Sequence, residues 1–340
     1  MKQKLTLKDI AAHFKVSVST VSKALNDSYE ISSSLKRKIT NYAKKHHYRP
    51  NINAVNLRKE QAATIGVIIP NILNYFFAQV FSGIEKVANK KGYNIISCIS
   101  NESLDKEVAT TEMLKNGLVS GLLVSLSEET EKLQKIDHFK KFTEIGIPLV
   151  MFDRVSDAVL CDKIIVDDFE GAYNATSHFI NSGCRRIAVV SILDNLQIGR
   201  QRIEGYKKCL LDHNILVDER LILRNFEADF LETQIKTLLK THEVDAILGL
   251  EEFTAISSMT IAKDIGFRIP DDISIIGFTN GMLPKYVTPT ITSVSQHGRY
   301  IGEKATEMLI SRIEEDSTTT TPFDIEVLKT SLVLRGSTRN

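Results

Sequence analysis

The 340-residue chain is 43% apolar with a formal charge of +1, too long for one average domain and too apolar to stay disordered. No run of about 18 apolar residues occurs, which argues against a helical membrane span, and the start Met1-Lys2-Gln3-Lys4 lacks the apolar core of a secretory signal, so a cytoplasmic protein without a membrane partner is expected. Charge is divided unevenly: residues 1–60 hold 13 Lys and Arg against 4 Asp and Glu, and the rest hold 30 against 38, about +9 and −8, as when one end meets a polyanion.

The first 48 residues read as three short helices. Thr6 is placed to cap the first, with Asp9 at the capping-box position and Leu7, Ile10, Ala11 and Phe14 on one face. After the turn Lys15-Val16-Ser17, Ser17 caps a second helix, Val18 to Leu25; Val21, Ala24 and Leu25 face inward, and Ser19, Ser22 and Lys23 are expected to point out. A third helix follows Ser33 with Leu35, Ile39, Tyr42 and Ala43 at helical spacing, ending before Tyr48-Arg49-Pro50. The segment Asn51 to Arg58 can form one or two helical turns but is too short to be stable alone, so it reads as a conditional hinge.

From Thr64 the pattern changes to apolar strands interleaved with amphipathic helices. Strands are expected at 65–70, 93–99, 121–124, 149–153, 164–166, 187–190, 246–249, 273–278 and 325–334, with a helix from about Phe76 to Lys91 after the first. Such strands build parallel sheets covered on both faces, and their number suggests two sheets, with ligands at the carboxyl ends of the strands. The fold class is α/β. Cys98, Cys161, Cys184 and Cys209 lie far apart, with no C-x-x-C pair and no metal-ligand spacing, so reduced thiols and no metal or cofactor are expected.

The run from Thr6-Leu7-Lys8-Asp9-Ile10-Ala11 to Val16-Ser17-Val18-Ser19-Thr20-Val21-Ser22-Lys23-Ala24-Leu25-Asn26 resembles the helix-turn-helix of the lactose-repressor (LacI/GalR) family. The resemblance continues in order through Tyr48-Arg49-Pro50-Asn51, Ile65 to Asn71, Phe76-Phe77-Ala78, Asp153-Arg154, Val166-Asp167, Arg186-Ile187-Ala188, Arg202 to Tyr206, Ile269 to Ser274 and Gly277-Phe278, which is essentially the whole chain. It implies a helix-turn-helix head at 1–50, a hinge at 51–61 and a two-subdomain, periplasmic-binding-protein-like core at 62–340. The first subdomain is expected at about 62–160 and 292–321, and the second at about 163–289 and 325–340.

By the same resemblance, Val18 and Ser19 read base edges in the major groove, and Lys23 stands where an arginine is usual, losing the bidentate fork for guanine. Thr6, Ser17, Thr20, Ser22 and Asn26 are expected DNA contacts of the head, several to phosphates, which position without reading sequence. In the hinge, Asn51, Ala54 and Leu57 are expected at the DNA, with Leu57 wedging between base steps of the minor groove; Val55 replaces a common arginine. The expected partners are double-stranded operator DNA, a second copy of the chain and a sugar or sugar derivative. The resemblance places Phe76, Phe77, Arg154, Asp167, Arg202, Phe226, Glu251 and Thr279 at an effector cleft, where aromatic faces stack on a sugar ring and charged groups fork its hydroxyls. Phe76 or Phe226 as core side chains, and Arg202 as a structural ion pair, remain open alternatives. Thr279 stands where relatives carry Asp, and Glu251-Glu252 where Asn-Asp is common.

Two rival readings carry less support. An enzyme on the same architecture would show G-x-G-x-x-G, G-x-x-x-x-G-K-[ST], G-x-S-x-G or paired histidines at metal spacing, and none is present. A secreted sugar-binding protein would need a signal peptide and would not carry a basic three-helix head. The chain lacks a C-terminal leucine heptad, so a tetramer built that way is not expected.

Overall fold

The computed structural model describes residues 7–25, 28, 30–45, 64–224, 230–279, 281–315 and 322–339. The chain divides into two compact units, Met1–Ala62 and Ala63–Asn340.

In the first unit, α1 (Leu7–Phe14), α2 (Val18–Leu25) and α3 (Ser33–Lys45) enclose a small core of Ile10, Ala11, Val21, Ala24, Ile39 and Ala43. Helix α1 stops because Lys15 adopts a left-handed φ of 52°, and the Lys15 and Val16 N–H groups bond back to the Ala12 and Ala11 carbonyls at 3.2 and 3.0 Å. Ser17 then caps α2, its hydroxyl accepting from the Thr20 N–H at 3.0 Å. One expectation fails here: Ser22 is buried, 8% exposed, because it flanks the apolar stripe of Val21 and Leu25 rather than lying opposite it.

The second unit holds two six-stranded sheets. The first has the order β11-β5-β4-β3-β1-β2, all parallel, from β1 (Thr64–Ile69), β2 (Asn94–Ile99), β3 (Gly121–Val124), β4 (Leu149–Phe152), β5 (Asp162–Val166) and β11 (Ile325–Leu328). The second has the order β12-β10-β9-β8-β6-β7, from β6 (Ile187–Val190), β7 (Ile222–Leu223), β8 (Ala246–Gly249), β9 (Ser274–Phe278), β10 (Thr292–Ser295) and β12 (Ser331–Val333); only β12 runs antiparallel. Strands β3, β4, β6, β8, β9 and β10 are buried along their length, which is why most of them read as unbroken apolar runs.

Helices α4 (Tyr75–Lys90), α5 (Leu104–Leu114), α6 (Glu128–Leu133), α7 (Asp137–Glu144) and α13 (Gly298–Glu314) accompany the first sheet. Helices α8 (Asp168–Asn181), α9 (Gln197–Asp212), α10 (Leu231–Thr241), α11 (Glu252–Asp264) and α12 (Leu283–Tyr286) accompany the second. Helices α4 and α13 meet backbone to backbone: a Cβ on Gly302 would come within 1.9 Å of the Val80 carbonyl, and one on Gly83 within 2.0 Å of the Arg299 carbonyl. That contact fixes α4, whose first turn carries Phe76 and Phe77.

The chain crosses between the sheets three times, and each crossing lies one strand later than the sequence reading placed it. β5 pairs with β4 and β11, so it completes the first sheet; β10 pairs with β9 in the second; β11 pairs with β5 in the first. The first subdomain is therefore built on β1 to β5 and β11, and the second on β6 to β10 and β12. The expected single strand at 325–334 is two strands in two sheets, separated at Lys329-Thr330. The crossings are tied together: Asp167 N–H donates to the Leu328 carbonyl at 2.8 Å, and His297 lies 3.4 Å from Ser295 Oγ and 3.1 Å from Ser331 Oγ.

Candidate DNA-reading helix and ligand cleft

Helix α2 presents Val18, Ser19 and Lys23 to solvent. Val18 is 37% exposed although apolar, so the head's core has no use for it. Ser17, Ser19 and Thr20 join their hydroxyls at 2.7 and 2.9 Å, and Lys23 forms an ion pair with Glu30. The outward face of α2 is thus a row of short hydroxyls, one exposed valine and one cation, the groups that suit base edges and phosphates. Thr6, Asn26, Asn51, Ala54 and Leu57 lie outside the described residues.

Between the two subdomains of the second unit is a cavity of about 630 Å³. Six of the eight expected effector residues line it: Phe76, Phe77, Arg154, Arg202, Glu251 and Thr279. Asp167 does not. Its carboxylate instead caps α8, accepting from the Glu170 N–H at 3.0 Å, a common use of Asp at a helix start. Phe226 lies outside the described residues.

Strand ends position these groups. Asp153 and Arg154 follow β4, and Asp153 takes a left-handed φ of 61°. Arg154 Nη1 donates to Glu102, which follows β2, at 2.7 Å, while its guanidinium lies 5.6 Å from the ring of Phe77. Phe76 meets Phe77 edge to face at 5.3 Å. Phe77 itself is 1% exposed and belongs to the first sheet's core, leaving Phe76 as the more accessible ring.

On the other wall, buried Arg202 from α9 does two things at once: it donates to Asp168 at 2.7 Å and to the Leu250 carbonyl, and it lies 4.2 Å from the ring of Phe278. It is both a structural ion pair and a cavity wall. Glu251, after β8, caps α11 by accepting the Phe253 and Thr254 N–H groups at 2.6 and 2.8 Å. Thr279, after β9, donates to Glu252 and accepts the Gly281 N–H at 2.9 Å.

Burial pushes the Asp153 carboxyl up to about 7, with the Arg154 guanidinium pulling the other way. Burial likewise raises Glu131 above the usual carboxylate range, although that side chain accepts from the Gln197 N–H. Glu131 and its neighbour Glu128 belong to α6 of the first subdomain; their partners Gln197, Arg200 and Asn195 belong to the second, with Glu128 accepting from Asn195 at 2.6 Å.

The sequence reading missed Asn71, Glu102, Glu128, Asp153, Ile192, Glu252 and Gln296 as cavity residues. Most follow the carboxyl end of a parallel strand by one to four residues, so applying the strand-end rule to each strand in turn would have found them. Among the described residues, no group of three or more His, Cys, Asp or Glu is placed to hold a metal ion, and no helix is long and apolar enough to cross a membrane.

Two family models match the chain: bacterial regulatory proteins of the lacI family over residues 6–51, and a periplasmic binding protein-like domain over residues 176–338. The HTH-type transcriptional repressor PurR of Vibrio atlanticus (strain LGP32) is 32% identical over 313 residues, covering 91% of this chain and 92% of that protein. The chain belongs to the LacI family. As a LacI-family member it is a DNA-binding transcriptional regulator with a ligand-responsive core. The ribose operon repressor of Halalkalibacterium halodurans is 29% identical over 335 residues, covering 98% of this chain and 97% of that protein. In fold, this LacI-family chain matches the lac repressor dimer bound to operator and the anti-inducer ONPF, with a TM-score of 0.84 at 21% identity over 99% of this chain and 100% of that one.

Proposed function

We propose that this LacI-family regulator is a cytoplasmic repressor that grips a two-fold-symmetric operator as a homodimer and is switched by a sugar or sugar derivative. The observation that carries the reading is the 630 Å³ cavity, whose wall takes an aromatic ring and an arginine from each subdomain: Phe76 with Arg154, and Phe278 with Arg202. Rings that stack on the apolar face of a pyranose or furanose, with charged groups at the edge for its hydroxyls, are what a sugar requires. Kinship with a ribose operon repressor supports that ligand class, and likeness to an operator-bound dimer supports the assembly.

In this reading residues 1–50 are the DNA-binding head and 51–61 the hinge. Val18 and Ser19 read bases; Ser17, Thr20 and Lys23 hold phosphates. Asn51, Ala54 and Leu57 meet the minor groove. The cleft works through Phe76, Phe77, Arg154, Arg202, Glu251 and Thr279, with Asp153 and Glu252 added. No catalytic step is assigned: Glu251 caps a helix, and Arg154 and Arg202 are held in ion pairs. Ligand binding favours one arrangement of the two subdomains, and the operator selects between arrangements through the hinge.

The test is fluorescence anisotropy with palindromic duplexes from the promoters flanking the protein's own locus. Binding with a two-to-one stoichiometry, lost when one half-site is scrambled, is expected. Equal affinity for the scrambled duplex would remove the reading.

A further inference from the structure

We propose that the cleft takes uncharged or amine-bearing hydroxylated ligands and rejects phosphorylated and acidic ones. The inference rests on the cavity being the effector site and narrows what occupies it. Among the described residues, its charged lining consists of five carboxylates, Glu102, Glu128, Asp153, Glu251 and Glu252, against two guanidinium groups. Both guanidinium groups are already paired, Arg154 with Glu102 at 2.7 Å and Arg202 with Asp168 at 2.7 Å.

Anions have a second ordinary route into a protein, the free N–H groups at a helix start. Here those positions are filled from within. The Phe76 N–H in the first turn of α4 donates to Asn74 Oδ1 at 3.0 Å, α11 is capped by the Glu251 carboxylate, and the Gln197 N–H at the start of α9 is taken by Glu131 from the opposite subdomain. An incoming phosphate would meet a carboxylate at the starts of α9 and α11 and an amide oxygen at the start of α4.

What the cavity wall does offer is one buried acceptor and one buried donor. Asp153 Oδ1 and Arg154 Nε have no hydrogen-bond partner among the described residues, and each residue is only 6% exposed. A hydroxyl both donates and accepts and so serves both atoms; a protonated amine serves Asp153; a phosphate oxygen only accepts, so it serves Arg154 Nε and leaves Asp153 unserved beside a second negative charge. Burial already pushes the Asp153 carboxyl up to about 7, so a ligand that donates to it drives off a proton near neutral pH.

The experiment is isothermal titration calorimetry of the full chain at pH 7.5 with a panel of neutral pentoses and hexoses, their 2-amino-2-deoxy analogues and their terminal phosphates. The best binder is expected among the first two groups, at least thirtyfold tighter than the phosphate of the same sugar. Glu128→Gln and Glu252→Gln, two near-isosteric changes, should each shrink that ratio at least threefold. A phosphate that binds as well as its parent sugar, or a ratio that neither variant moves, overturns the charge rule while leaving a sugar-responsive cleft intact. If no member binds, the sugar reading itself falls, and this inference with it.

Discussion

Glu131 of the first subdomain accepts the backbone N–H of Gln197 at the start of α9 in the second, so one buried carboxylate joins the two lobes beside the ligand cavity. The contact satisfies an N–H that the helix cannot satisfy itself and sets a negative charge on the positive end of α9. It is a strap between the two lobes. Glu131→Ala is expected to raise the hydrogen-exchange rates of the Gln197 to Arg200 amides at least tenfold in ligand-free protein, the loss of one charge-assisted hydrogen bond. Unchanged exchange at those amides would show that the strap carries no energy.

Arg202 and Asp168 form a pair in which each is 2% exposed, so removing one partner leaves the other charge buried and alone. Arg202→Ala should lower core stability by about 3–5 kcal/mol. Urea denaturation checks this. Arg202→Lys keeps the charge but loses the fork that reaches Asp168 and the Leu250 carbonyl together, and should fall between wild type and Arg202→Ala.

Asp153 supplies a pH signature. Its carboxyl is raised in the folded protein from the ordinary 3.8 to about 7, so the folded state binds the extra proton between those values. Stability contributed by the neutral form is fully present below about pH 4, declines as pH rises through the window to 7, and is absent above it. Asp153→Asn removes the titration and should stabilise the ligand-free protein at pH 8 by on the order of 2–4 kcal/mol while changing little near pH 4. Denaturant midpoints at the two pH values decide it; a gain of equal size at both would assign the effect to something other than ionisation.

In the head, Lys23 is held by Glu30, and in the proposed reading it leaves that partner for a phosphate. Lys23→Ala should weaken binding to specific and nonspecific duplex alike and reduce the salt slope by about one, as expected for a lost phosphate contact. Glu30→Gln should act the other way. Ser19→Ala, by contrast, should discriminate between operator sequences. Anisotropy titrations from 50 to 200 mM salt separate the two behaviours.

The legibility of the fold in the sequence followed burial. β3, β6 and β8 match the expected spans residue for residue because both faces of these central strands are covered and their side chains are apolar. β10, Thr292-Ser293-Val294-Ser295, is equally buried yet was missed. Its polar side chains find partners inside: Thr292 bonds to the Arg335 carbonyl and Thr338, and Ser293 to the Ile291 carbonyl. That blind spot, with the assignment of β5 and β11 to the wrong sheet, moved each crossing by one strand. Pairing decides the sheet, and pairing is not local.

The site was legible in part for a related reason. Family resemblance pointed to Arg202 and Glu251, which line the cavity, and to Asp167, which lies outside its lining and next to Asp168. Asp167 caps α8 and Asp168 lies beneath Arg202, and only the three-dimensional register tells them apart. Asp153 is an ordinary acidic residue in the sequence; its burial, and hence its shifted titration, comes from walls drawn from both lobes.

The account's central claim is a free-energy coupling between cleft and operator, and coupling is reciprocal. The direct measurement is operator affinity of the full chain with and without the tightest-binding sugar, together with that sugar's affinity with and without operator. The account predicts the same factor in both directions, between about 5 and 150, and its loss in Phe76→Ala. Operator affinity that stays the same when the cleft is saturated would contradict it.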